Sequence, residues 1–210
     1  MVKIKVCGVT RVADAVLASE LGVSAVGLVF WEQSPRSVEP EQAAAIVAAL
    51  PSTVAAVGVF VNQEQAWVCD VIARVGLTGV QLHGEETEKY CRAMPVPVLK
   101  AVPMRTAADV EAALRLSKTV TPLIDVYDPV HRGGTGGTAD WNTAAVVARR
   151  RQVFLAGGLE PRNVGQAIAA VCPYGVDVSS GLEAAPGIKD PGRLRAFVAA
   201  VGEARGNGRS

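Results

Sequence analysis

Short apolar runs rich in β-branched residues recur along the chain, and a longer stretch with helical spacing of its apolar positions follows each one. These runs predict strands over residues 3–6, 25–29, 55–59, 79–82, 98–101, 121–124, 152–155 and 175–178. Such mainly apolar runs fit parallel strands covered on both faces better than alternating surface strands. Helices are predicted over 13–20, 40–50, 63–74, 85–92, 107–116, 141–149, 161–171 and 191–201. Pro40 and Pro161 each suit a first helical turn, where a missing amide hydrogen is harmless. Asn62 and Asp190 are expected to cap the helices that follow them.

Eight strand–helix units in 210 residues are close to the lower length limit of an α/β chain folded as a (β/α)8 TIM barrel. An open doubly wound sheet has the same local pattern, because periodicity does not reveal whether strand eight closes onto strand one. The first strand ends in Cys7-Gly8-Val9-Thr10, without the GxGxxG turn of dinucleotide folds, which removes the usual support for the open alternative. No interdomain linker is visible. The expectation is a single barrel domain over residues 1–201 and a frayed tail over 202–210, rich in Gly, Arg and Ser.

Composition narrows the function classes. Twenty-one basic residues against twenty acidic ones give no field that would attract nucleic acid or a membrane surface. No apolar run reaches the length of a membrane span, and the first residues lack the apolar core of a signal peptide. Cys7, Cys69, Cys91 and Cys172 form no CxxC pair and no zinc spacing. Free thiols in a reduced, cytoplasmic compartment are therefore expected. Two histidines, His83 and His131, are too few for an all-histidine zinc site, and the carboxylates form no recognisable metal motif. Helix exteriors rich in Ala and Val are compatible with either a monomer or a homodimer.

In a barrel, polar residues at the C-terminal ends of strands face the active-site mouth. Cys7 has such a position after strand one: it is either a small buried hydrophobe or a thiolate able to take a proton from carbon. Asp125, after strand six, is either a loop cap or a proton donor. Arg36, in the loop after strand two, is either solvated or able to grip a carboxylate through two parallel hydrogen bonds. His83, after strand four, is either a satisfied core histidine, part of a polar wall or a catalytic group. Gly134, Thr135 and Gly136 lie in the long loop after Asp125, Gly157-Gly158 follows strand seven, and Ser179-Ser180 follows strand eight. Each glycine cluster alone reads as a turn. Together on one rim they suggest backbone amides that bind a phosphate, so a small phosphorylated substrate is expected.

Taken in order, these segments resemble the phosphoribosylanthranilate isomerase family of tryptophan biosynthesis. The resemblance runs from Lys5-Val6-Cys7-Gly8-Val9-Thr10 through Gly27-Leu28-Val29-Phe30, Ser34-Pro35-Arg36 and Val57-Gly58-Val59-Phe60-Val61-Asn62. It continues with Val80-Gln81-Leu82-His83-Gly84, Leu123-Ile124-Asp125, Gly133-Gly134-Thr135-Gly136, Asp140-Trp141 and Ala156-Gly157-Gly158-Leu159. The last block is Val176-Asp177-Val178-Ser179-Ser180-Gly181-Leu182-Glu183.

The resemblance implies a closed barrel and an Amadori rearrangement of N-(5-phosphoribosyl)anthranilate to its ribulose form. It implies Cys7 as general base, Asp125 as general acid and Arg36 as partner of the anthranilate carboxylate. The glycine and serine amides become the phosphate-facing surface. Neither metal nor organic cofactor is implied. Rival expectations are a pentose-phosphate epimerase, an indole-forming synthase using a lysine such as Lys5, and a non-enzymatic phosphate-binding module. A dual-substrate isomerase would be expected to carry aspartate where Cys7 stands.

Overall fold

The computed structural model describes residues 2–104, 106–125 and 141–206. Eight parallel strands close into a barrel: β1 (Lys3–Val6), β2 (Ala25–Val29), β3 (Ala55–Phe60), β4 (Gly79–Leu82), β5 (Val98–Pro103), β6 (Val120–Asp125), β7 (Phe154–Ala156) and β8 (Gly175–Val178). The β1–β8 pairing, with Lys5 opposite Asp177, closes the ring and rules out the open sheet.

Helices α1 (Val12–Glu20), α2 (Pro40–Ala48), α3 (Gln65–Val75), α4 (Glu88–Arg92), α5 (Ala107–Arg115), α6 (Trp141–Ala148), α7 (Val164–Val171) and α8 (Pro191–Gly206) follow the strands in turn. Pro40 opens α2 and Asp190 accepts the Arg193 amide at the start of α8, both as expected. Two local expectations fail. Asn62 takes a left-handed φ of 59° and accepts the Glu85 amide, so it ties two loops together instead of capping α3. Pro161 precedes α7, which starts only at Val164. The last helix also continues to Gly206, into the segment expected to fray.

Alternation along each strand separates two apolar layers. Ile4, Val6, Val26, Leu28, Val80, Leu82, Leu155, Val176 and Val178 point outward into the core shared with the helices. Burying that shell against the helices is the main driving force for the fold. The opposite face of the strands lines the lumen. There Leu99, Ala101, Leu123, Phe154 and Ala156 of β5, β6 and β7 form a separate apolar cluster. On β1, β4 and β8 the equivalent positions carry Lys5, Gln81 and Asp177, all buried.

After β8 the chain makes a 3-10 turn (Ser180–Leu182) and a hairpin of β9 (Glu183–Ala185) and β10 (Ile188–Lys189). The hairpin was not predicted, because strands of three and two residues fall below the length at which a period is detectable. It lies against the loop after β1 through a 2.7 Å hydrogen bond from Thr10 Oγ1 to the Gly187 carbonyl.

Candidate active site

Period-two alternation places Lys5 and Cys7 on one face of the β1 segment, Gln81 and His83 on one face at β4, and Leu123 and Asp125 on one face of β6. Asp125 is the last residue of its strand rather than the first of the loop. Lys5 has no exposed surface. Its ammonium donates to Asp177 Oδ1 at 2.9 Å and to Gln81 Oε1 at 2.8 Å. Gly27 on β2 makes room: a Cβ there would lie 2.8 Å from Cys7 Sγ and 3.0 Å from Lys5 Nζ. The sulfur and the ammonium therefore pack against the same point of β2.

An ammonium only donates, so the Gln81 atom facing Lys5 must be its carbonyl oxygen. The Gln81 amide nitrogen then donates to His83 Nδ1 at 2.8 Å. That leaves the ring proton of a neutral His83 on Nε2, which is 3.6 Å from Asp125 Oδ2. This last approach is longer than a hydrogen bond. The His83 and Asp125 side chains are 38% and 28% exposed, so both open to the mouth. A hydrogen-bonded row Lys5–Gln81–His83 thus lies between Cys7 and Asp125.

Burial pushes the Cys7 thiol above its ordinary pKa; Lys5 and Lys189 pull it back and Asp177 reinforces the rise. Burial alone would lower the Lys5 ammonium, but Asp177 and Cys7 together hold it above the ordinary lysine value. Lys5 is therefore a fixed positive charge beneath the sulfur.

Arg36 lies beside the same rim. Gly8, with φ of 69°, lets the chain turn after Cys7, and the Arg36 side chain packs where a Cβ at Gly8 would be, its Cδ 2.6 Å from that point. The guanidinium donates through Nε and Nη2 to the two Glu183 oxygens at 2.8 and 2.6 Å. Glu183 also accepts from Lys189 at 2.8 Å. Burial would raise the Glu183 carboxyl, yet hydrogen bonds from Arg36 and Lys189 outweigh it and hold the pKa below the ordinary range. Nη1 of Arg36 makes no hydrogen bond among the described residues. An end-on fork of Nη1 and the second Nη2 hydrogen remains for another carboxylate.

Gly157 and Gly158 follow β7 with φ of 93° and 61°, and Ser179-Ser180 follows the adjacent β8. A Cβ at Gly158 would meet no atom within 4 Å, so the backbone there faces open space. A hollow of about 390 Å³ adjoins this rim, lined in part by Ser180, Gly181, Arg162 and Arg193. Gly134, Thr135 and Gly136 lie outside the described residues. No group of three or more His, Cys, Asp or Glu able to hold a metal occurs among the described residues.

Sequence reasoning brought Cys7, Arg36, His83, Asp125, Gly157, Gly158, Ser179 and Ser180 to the same rim, as the fold places them. It missed Gln81, Asp177, Glu183 and Lys189 and gave Lys5 no role in this site. For three of these a signal existed. Lys5, Gln81 and Asp177 are polar residues inside apolar strand runs, each two positions before a candidate.

A thiol and a carboxyl facing one barrel mouth suit a barrel enzyme of the acid–base class. Comparison with known proteins narrows the class. Residues 4–200 match the family model described as N-(5'phosphoribosyl)anthranilate (PRA) isomerase, and the chain belongs to that family. The N-(5'-phosphoribosyl)anthranilate isomerase of Citrifermentans bemidjiense is 47% identical over 199 residues, covering 95% of this chain and 96% of that protein. The crystal structure of phosphoribosyl anthranilate isomerase from Thermotoga maritima superposes with a TM-score of 0.90 at 42% identity, covering 97% of this chain and all of that one. A phosphoribosyl anthranilate isomerase in complex with reduced 1-(o-carboxyphenylamino)-1-deoxyribulose 5-phosphate superposes with a TM-score of 0.87 at 40% identity, again over 97% of this chain and all of that one.

Proposed function

We propose that this chain isomerises N-(5-phospho-β-D-ribosyl)anthranilate to 1-(2-carboxyphenylamino)-1-deoxy-D-ribulose 5-phosphate in tryptophan biosynthesis, with Cys7 as base and Asp125 as acid. The observation that carries the reading is that these two groups face one mouth, with the hydrogen-bonded row Lys5–Gln81–His83 lying between them.

Asp125 gives a proton to the ribose ring oxygen, and the ring opens to a protonated Schiff base at C1. That cation draws electron density from C2 and acidifies its proton. The Cys7 thiolate removes it, giving an enolamine. The enolamine becomes the amino-ketose as C1 gains a proton and the C2 hydroxyl gives one up. A proton passed from Cys7 through solvent to Asp125 resets both groups. Holding the acid and the base across one ring supplies the positioning that each transfer needs.

Arg36 receives the anthranilate carboxylate on its end-on fork while Glu183 holds the other edge, and His83 lines the sugar site. The amides near Gly157-Gly158 and Ser179-Ser180, together with those of Gly134, Thr135 and Gly136, hold the phosphate. The enzyme works in the cytoplasm on a small phosphorylated substrate, with neither nucleic acid nor membrane as partner. No helix among the described residues is long and apolar enough to cross a membrane.

Loss of substrate fluorescence on adding purified enzyme tests the reading. Cys7→Ser and Asp125→Asn should each lower kcat by ~10²- to 10⁴-fold while the fold, followed by circular dichroism, is unchanged. Wild-type rates in both variants would overturn the assignment.

A further inference from the structure

We propose that Lys5 is the positioning residue of this site: its buried ammonium is the counter-ion that lets Cys7 exist as a thiolate. The proposal rests on Cys7 being the base. Lys5 itself touches no reacting atom and acts through its neighbour.

The first ground is geometric. A fully buried lysine on the lumen face is expensive to keep charged, and this one is kept by Asp177 at 2.9 Å and Gln81 at 2.8 Å. Those two contacts satisfy two of its three donor hydrogens. The third donor has the Cys7 sulfur as its neighbour: both atoms crowd the point where a Cβ at Gly27 would lie, at 3.0 Å for Nζ and 2.8 Å for Sγ. The second ground is chemical. A buried thiol resists ionisation, so the thiolate needs a nearby cation, and the cation must keep its own proton when the thiol loses one. Lys5 meets the condition through Asp177, which outlasts any change at the sulfur.

The other charged groups acting on Cys7 are Asp177 on β8, Lys189 on β10 and Arg36 in the loop after β2. Asp177 opposes the thiolate directly. Lys189 and Arg36 favour it, but both are already paired with Glu183. Lys5 is thus the cation beside the sulfur whose partner is shared with no other lysine or arginine among the described residues.

The test reads Cys7 without reference to turnover. Iodoacetamide labelling of the Cys7-containing peptide, followed by mass spectrometry across a pH series, gives the midpoint of thiolate formation. In Lys5→Met, and in Lys5→Met combined with Asp177→Asn so that no unpaired charge is buried, the midpoint should rise by ~1 pH unit or more, a tenfold or greater loss of reactive thiolate below it. In the unaltered protein the ¹⁵Nζ resonance of Lys5 should shift through the same midpoint as the labelling. A merely structural lysine would change stability and leave the midpoint where it was. An unchanged or lowered midpoint in a folded variant, or a Lys5 resonance indifferent to Cys7 ionisation, would overturn the proposal. Wild-type turnover by Cys7→Ser would instead remove Cys7 as the base while leaving the labelling result standing, so the two failures are distinguishable.

Discussion

The lumen has two unlike halves. On β5, β6 and β7 it is filled by Leu99, Ala101, Leu123, Phe154 and Ala156, an ordinary apolar packing. On β1, β4 and β8 the same inward face carries Lys5, Gln81 and Asp177, all buried, with Lys5 bonded to both of the others. The apolar half stabilises the barrel by removing hydrocarbon from water. The polar half adds little stability for its volume, since desolvation offsets most of what a buried ion pair gains. Its return is positional: it sets the charge beneath Cys7 and the tautomer of His83 opposite Asp125. Packing and chemistry are thus assigned to different strands of one ring.

The contrast can be broken from either side. The largest stability effect is expected from Phe154→Ala, since the ring lies over Gly175, where a Cβ would approach it to 2.4 Å. Urea unfolding should show a loss of ~3–5 kcal/mol, with near-normal kcat in the molecules that remain folded. Asp177→Asn alone should cost somewhat less, about 3 kcal/mol at most, because it strands the Lys5 charge. Adding Lys5→Met should recover most of that stability and still leave turnover at least ~10-fold down. If the double variant regained both stability and rate, the polar half would be only a structural filler. A smaller effect is expected at Arg36. Arg36→Lys keeps the charge and loses the fork, so steady-state kinetics should show KM raised about tenfold, equivalent to ~1.4 kcal/mol, with kcat less changed.

The smallest effect concerns pH. The Glu183 carboxyl is held below its ordinary pKa in the folded chain, so its contribution is present above the unfolded value and is lost as pH falls through the folded one. Thermal melts on acidification should therefore fall more steeply for the wild type than for Glu183→Gln. Parallel curves would show that the Arg36–Glu183–Lys189 cluster contributes nothing to acid stability.

Much of this is legible in the sequence alone. Strands 3–6, 25–29, 79–82 and 175–178 match the structure residue for residue, because their apolar residues are dictated by burial against the helices. Helix starts were less legible. Asn62 has a capping side chain, but a left-handed backbone and a tie to Glu85 take it out of reach of α3. Cys7, His83 and Asp125 were readable as strand-end residues of a barrel, and Arg36 as a residue of the loop after strand two. Lys5, Gln81 and Asp177 were visible only as polar interruptions, since their meaning depends on β1, β4 and β8 meeting across a closed ring. Glu183 and Lys189 gave no signal, because the hairpin that delivers them to Arg36 is too short to show a period.

The central claim is that one pentose is reached from two sides, by the sulfur of Cys7 and the carboxyl of Asp125. A crystal structure of this enzyme with the reduced product analogue tests it most directly. The account predicts Cys7 Sγ within ~3.5 Å of C2, and an Asp125 oxygen equally close to the hydroxyl derived from the ring oxygen. A pentose bound with either group beyond the reach of a single bridging water would contradict it.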